Sequence, residues 1–107
     1  MNSEQDKQIE QLSMIEQSTN TLLAQRQEFT AQANETQSAM DQLRGKTSAY
    51  KIIGNIMVAT RAEDLIKELT RKKELLALRI KTLQKQEEQL KAKAKTIQES
   101  VMSKMKK

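Results

Sequence analysis

Cysteine and histidine are both missing from this sequence of 107 residues. Without thiols there is no disulfide framework and no thiolate metal site. Without imidazole, the commonest general base and metal ligand is gone as well. Proline is absent and glycine occurs twice, at Gly45 and Gly54, so little outside the segment holding them interrupts a helix. The aromatic residues are Phe29 and Tyr50 alone, and only 36% of the chain is hydrophobic. A compact core is poorly supplied by so few large side chains, and an extended chain with its apolar residues along a seam is expected instead. No run approaches the roughly 18 apolar residues of a membrane span. The polar opening "MNSEQDKQIEQ" lacks a signal-peptide core, which makes a cytoplasmic protein the expectation. No phosphate-binding glycine loop, metal-ligand cluster or histidine-activated nucleophile can be assembled from these residues. The expectation is a protein that is not an enzyme and has no catalytic residues, metal site or cofactor.

What the chain does have is helical repeat. Stepping alternately by four and three from Gln8 passes Leu12, Ile15, Thr19, Leu22, Arg26, Phe29, Ala33, Thr36, Met40 and Leu43, of which seven of 11 positions are apolar. The same stepping from Ile66 passes Leu69, Lys73, Leu76, Ile80, Leu83, Glu87, Leu90, Ala94, Ile97 and Val101, where nine of 11 are apolar. Each stripe would be about 54 Å long at 1.5 Å per residue. Their equal length and short connection predict a long antiparallel two-helix coiled coil, with Gln8 near Val101 and Leu43 near Ile66. Thr19, Thr36 and Lys73 read as loosely packed seam positions. Arg26 and Glu87 lie one layer apart in this register, close enough for a charge pair within the coil. Gly45 stands where a left-handed helix cap belongs, and Thr60 with Glu63 has the spacing of a capping box opening the second helix.

Between the stripes, "AYKIIGNIMVA" is the one place where strand-forming residues crowd together. Gly54-Asn55 fits a two-residue primed turn, which sets Ile53 against Ile56 and Ile52 against Met57. One face then shows Lys51, Ile53, Ile56 and Val58, and the other Tyr50, Ile52, Met57 and Ala59. A lone ribbon apolar on both faces is marginal in water and has unprotected edges. Either it folds back under Leu65, Leu75 or Leu78 of its own chain, or it recruits strands from other subunits through Tyr50, Ile52, Ile53, Ile56, Met57 and Val58 to close an intersubunit β-barrel. The fold class expected is all-α dominated: a single domain with a coiled-coil helix over 1–45, a β hairpin over 46–60 and a second coiled-coil helix over 61–107.

"AYKIIGNIMV" followed by "ELTRKKELLALRIKTLQKQEEQL" resembles the hairpin and second helix of the β-class subunit of prefoldin, in its archaeal form. The resemblance spans roughly Tyr50 to Leu90, with "RIKTLQKQEE" its most specific part. It implies two helices joined by one hairpin, where the α class carries two hairpins. It further implies a hexamer of two α-class and four β-class subunits, with a body of double β-barrel from which the coiled coils hang. By the same resemblance, the coil tips hold unfolded proteins without nucleotide hydrolysis and pass them to a group II chaperonin.

On that reading client contact falls at the coil end away from the hairpin, where Met1, Ile9, Leu12, Met14, Ile97, Val101, Met102 and Met105 collect. Methionine is flexible and polarizable, which suits a surface that repacks against many partners. Leu12, Ile97 and Val101 are also seam positions, while Ile9, Met14, Met102 and Met105 lie off the seam and are otherwise ordinary frayed-end residues. Charge leaves other readings open. The net charge is +5, and residues 54–107 carry 14 basic against 7 acidic groups. Lys91, Lys93, Lys95, Lys104, Lys106 and Lys107 could steer acidic clients, or bind nucleic acid or an anionic membrane surface. Interleaved acids and scarce aromatics argue against nucleic acid, and the lack of aromatic anchors argues against a membrane. A coiled-coil tether or assembly adaptor that holds no client is the main alternative.

Overall fold

The computed structural model describes residues 3–105. Its elements follow in the order α1 (Ser3–Leu43), β1 (Ser48–Ile53), β2 (Ile56–Arg61) and α2 (Ala62–Met105). The chain divides into two compact units, a terminal one of Met1–Gln27 with Lys81–Lys107 and a hairpin one of Glu28–Ile80.

Helix α1 stops at the expected glycine. Gly45 has φ +75°, a conformation that costs other residues strain, and the Lys46 N–H donates to the Leu43 carbonyl at 3.1 Å, closing the last turn. The second boundary differs from expectation. Thr60 and Arg61 remain in the ladder, opposite Ala49 and Ser48, so the hairpin runs to Arg61 and the Thr60–Glu63 capping box does not form. The Ala62 N–H, the first of α2, is taken by the Thr47 carbonyl at 3.2 Å. Continuing the ladder satisfies these backbone groups where the side-chain cap was expected to.

The turn between the strands is also more specific than its sequence. Gly54 has φ +60°, whereas no non-glycine among the described residues has positive φ. Positive φ at the first central position alone is the type II′ arrangement, so Asn55 is not in the left-handed region. The register is Ile53↔Ile56, Ile52↔Met57, Lys51↔Val58 and Tyr50↔Ala59, as the two-residue turn requires.

Along the helices, the heptad stepping picks out the covered side chains. All its positions in α1, from Gln8 to Leu43, are buried or half-buried, and so are those in α2 apart from Lys73. In the terminal unit Ile15 and Leu83 are the best-covered apolar positions, and in the hairpin unit Leu43, Ala62 and Leu76 are. The helices run antiparallel within each unit. In the terminal one, Lys104 pairs with Glu4 and Gln8 Nε2 donates to Ser100 Oγ at 3.1 Å, one residue from the expected neighbour Val101. In the hairpin one, Lys73 donates to Gln37 and the Arg79 guanidinium lies 5.7 Å from the Phe29 ring centre.

The seam threonines are satisfied locally, whereas Gln8 bonds across to Ser100 and leaves its Oε1 buried without a hydrogen-bond partner. Thr36, only 4% exposed, donates its hydroxyl to the Gln32 carbonyl at 2.8 Å, and Thr19 does the same to Ile15. Bonding back to the preceding turn lets a threonine sit against a partner helix without an orphaned hydroxyl. Lys73 is exposed instead, its long stem carrying the ammonium out to Gln37.

Arg26 and Glu87 form the ion pair that their seam positions foreshadow. Arg26 Nε lies 3.0 Å from both carboxylate oxygens of Glu87, with the side chains 28% and 18% exposed. Removing one partner strands the other charge. Arg26→Met should cost about 1–2 kcal/mol in urea unfolding, less than a fully buried pair because water still reaches both groups. Arg26→Met with Glu87→Leu should recover that loss or exceed the parent.

Candidate functional site

No group of acidic residues that could hold a metal occurs among the described residues, and no helix described is long and apolar enough to cross a membrane. Exposed large apolar side chains are concentrated in two places.

The first is the hairpin. All six of its expected contact residues, Tyr50, Ile52, Ile53, Ile56, Met57 and Val58, are exposed, from 37% at Val58 to 72% at Ile52. The alternative in which the ribbon shelters under its own helix is therefore not realised. Leu75 and Leu78, two of the residues that would have covered it, are exposed themselves. What ties ribbon to helix is polar: Lys51 Nζ donates to Glu68 Oε1 at 3.3 Å. Alternation along the strands leaves Tyr50, Ile52 and Met57 on the face opposite that ion pair. Aligned apolar side chains over unpaired strand edges are a template for further strands.

The second is the terminal unit, where Ile9, Met14, Met102 and Met105 are exposed by 48%, 64%, 58% and 72%. Leu12, Ile97 and Val101 are half-buried along the seam, as their positions require, and Met1 lies outside the described residues. The structure brings only some of these together. Ile9 and Leu12 line a groove of about 540 Å³ with Ile15, Thr19 and Ala94, its polar rim including Glu16 and Lys91. On the other side of Ile15, Met14 lines a second groove of about 360 Å³ with Leu90 and Lys93. Ile97, Val101, Met102 and Met105 line neither.

These grooves were not anticipated from the stripes. The available signal was side-chain size: Thr19 and Ala94 are short residues at seam positions, where larger ones would fill the space beside Ile15. Lys91 and Lys93, two of the basic residues with several possible roles, stand at the groove margins. Lys104 is engaged, its ammonium 2.9 Å from Glu4, while Lys106 and Lys107 lie outside the described residues. The hydrogen bond from Lys104, reinforced by its charge, holds the Glu4 carboxyl below its ordinary range. A carboxyl so lowered favours the native arrangement above its unfolded-state pKa, and that contribution fades as acid protonates it.

Known proteins share this arrangement of two helices and one hairpin. The sequence profile of the prefoldin subunit family matches residues 6–107. This chain belongs to the prefoldin subunit family. It is 42% identical over 85 residues to prefoldin subunit beta of Archaeoglobus fulgidus, a match covering 77% of this chain and 73% of that one. To prefoldin subunit beta of Sulfurisphaera tokodaii it is 34% identical over 97 residues, covering 88% and 78%. The crystal structure of the prefoldin beta subunit from Thermococcus strain KS-1 superposes with a TM-score of 0.90 over 96% of this chain and 93% of that one. At 24% identity that superposition speaks for the fold. The chain is thus a prefoldin chaperone subunit of the beta class.

Proposed function

We propose that this subunit works as an ATP-independent holdase in the cytoplasm. In this reading the hairpin joins it to an α-class prefoldin subunit, in a hexamer of two α-class and four β-class chains whose hairpins close into β-barrels. The terminal units hold unfolded proteins and deliver them to a group II chaperonin. Ile9, Leu12, Met14, Ile97, Val101, Met102 and Met105 form the client surface, and Met1, outside the described residues, belongs to the same proposed set.

The observation that carries the reading is the placement of exposed large apolar side chains. Among the described residues they fall on the hairpin with the nearby Leu75 and Leu78, or in the terminal unit at Ile9, Met14, Met102 and Met105. None falls between Ile15 and Ala49. Apolar surface so segregated serves two separate contacts, one able to satisfy strand edges and one made of side chains that repack freely. Holding needs no bond cleavage, and each apolar contact contributes on the order of 1–2 kcal/mol, so grip comes from several at once.

Dilution of a denatured client into the protein, with and without an α-class partner and with no ATP, tests this by light scattering. The assembled pair should suppress aggregation at near-stoichiometric amounts. Scattering that rises as in buffer alone would leave a tether or adaptor that holds nothing.

A further inference from the structure

Leu75 and Leu78 have no part in the coiled-coil seam, yet they are 49% and 63% exposed on α2. They lie on the flank of the helix that carries Glu68, because Leu75 follows Glu68 by seven residues, two turns, and Leu78 follows by one turn more. Glu68 accepts the hydrogen bond from Lys51. Lys51, in turn, shares its face of the ribbon with Ile53, Ile56 and Val58. An apolar ribbon face therefore borders the same ion pair as a helix flank on which Leu75 and Leu78 stand among the basic residues Arg71, Lys72 and Arg79.

Their heights agree. From Ser48 to Lys51 a strand climbs about 10 Å at 3.3 Å per residue, and from Ala62 to Glu68 a helix climbs about 9 Å at 1.5 Å per residue. Equal rise at the point of contact means that the ribbon leaves the start of α2 and climbs beside it. At the same rates Ile53 reaches about 17 Å and Leu75 about 20 Å. Ile53 and Ile56 remain 56% and 66% exposed, so these walls do not close on Leu75 and Leu78. These exposures imply an open space between ribbon and helix, a wedge with the Lys51–Glu68 pair at its base.

We infer that this wedge receives the apolar β ribbon of an adjoining prefoldin-type subunit, and that Leu75 and Leu78 form the helical wall of that contact. The inference rests on the proposed assembly through the hairpin and adds a helical surface to it. Interface size argues for the extension. A stable interface of standard size engages about 20–30 residues a side, while the hairpin's two six-residue strands and two-residue turn supply 14. A contact of that size extends beyond the ribbon onto a helix, and the exposed leucines on α2 are Leu75 and Leu78. Chemistry argues for the occupant. Leu75, Leu78, Ile53, Ile56 and Val58 offer aliphatic surface, and the ion pair at the base is already matched. The long stems of Arg71, Lys72 and Arg79 on the same flank can lie over an apolar body while their charges stay in water, so a ribbon apolar on both faces fits, and the ribbon of this fold is one.

The test uses full-length chain assembled with its cognate α-class partner. With p-benzoylphenylalanine in place of Leu78, irradiation should join α2 to a hairpin peptide of another subunit, read by mass spectrometry. Leu75→Ser with Leu78→Ser should weaken assembly at least about tenfold, the loss expected when leucine burial is forgone, with helix content unchanged. Ile52→Asp, on the opposite ribbon face, separates the two levels. If it dissociates the assembly while the leucine variant assembles normally and the crosslink joins only client or its own chain, the wedge is overturned and the hairpin assembly stands. If Ile52→Asp leaves assembly intact, both fall.

Discussion

Ile52→Asp combined with Met57→Asp should leave the chain helical and without partners. The two residues face each other across the ribbon and are 72% and 66% exposed in the single chain, so carboxylates there meet water and cost the isolated subunit little. In the proposed assembly the same positions are interior, and an unpaired carboxylate taken out of water costs several kcal/mol. Since each 1.4 kcal/mol is a factor of ten, affinity for the α-class partner should fall by at least about a hundredfold, below what micromolar mixtures detect. Circular dichroism should be unchanged, because the seam from Ile15 to Leu83 lies on other elements. A matched change at an exposed helix position, Gln25→Asp, should assemble normally. Retained assembly in the double variant would mean that the ribbon does not carry the contact.

Deleting residues 1–10 and 98–107 should give the opposite phenotype: full assembly and no client holding. The deletion removes Ile9, Val101, Met102 and Met105, together with the Ile9 and Gln98 edges of the larger groove. It spares the Arg26–Glu87 pair and the whole hairpin unit. Holding by many weak contacts predicts a graded response. Met105→Ser alone should lower suppression of aggregation slightly, since one contact of about 1–2 kcal/mol is replaceable by its neighbours. The double truncation should abolish it, with native mass spectrometry showing the same stoichiometry as the parent. Unchanged suppression after truncation would move the client surface elsewhere on the chain.

In the proposed function the two phenotypes separate because assembly and holding use different side chains, and the sequence makes the underlying architecture legible to different degrees. Heptad stepping located the covered positions because burial against one partner helix repeats with the helix itself. It even placed Arg26 and Glu87 close enough to pair, since long side chains bridge a one-layer offset. The Gly54-Asn55 turn specified the strand register, because a two-residue loop permits only one. Local signals failed where a second, non-local demand competed. Thr60 and Glu63 have capping-box spacing, but the ladder to Ala49 and Ser48 extends through Arg61 and displaces the start of α2. Lys73 occupies a seam position by count and escapes it by the length of its stem.

The grooves beside Ile15 depended on information that no single stripe contains. Short side chains at Thr19 on one helix and Ala94 on the other leave the space, and their joint effect follows only from the pairing of the helices. The exposure of Leu75 and Leu78 is a similar case. Each reads as a cover for the ribbon, yet both stay exposed, and the contact seen between ribbon and helix is the Lys51–Glu68 pair.

Native mass spectrometry of the purified chain at micromolar concentration, alone and after mixing with its α-class counterpart, bears most directly on the central claim that the ribbon must find its missing strands in other subunits. Mixing should convert the 12.3 kDa chain into a hetero-oligomer holding four copies of it for every two partners. A peak that stays at the mass of one chain, with and without the partner, would contradict the account.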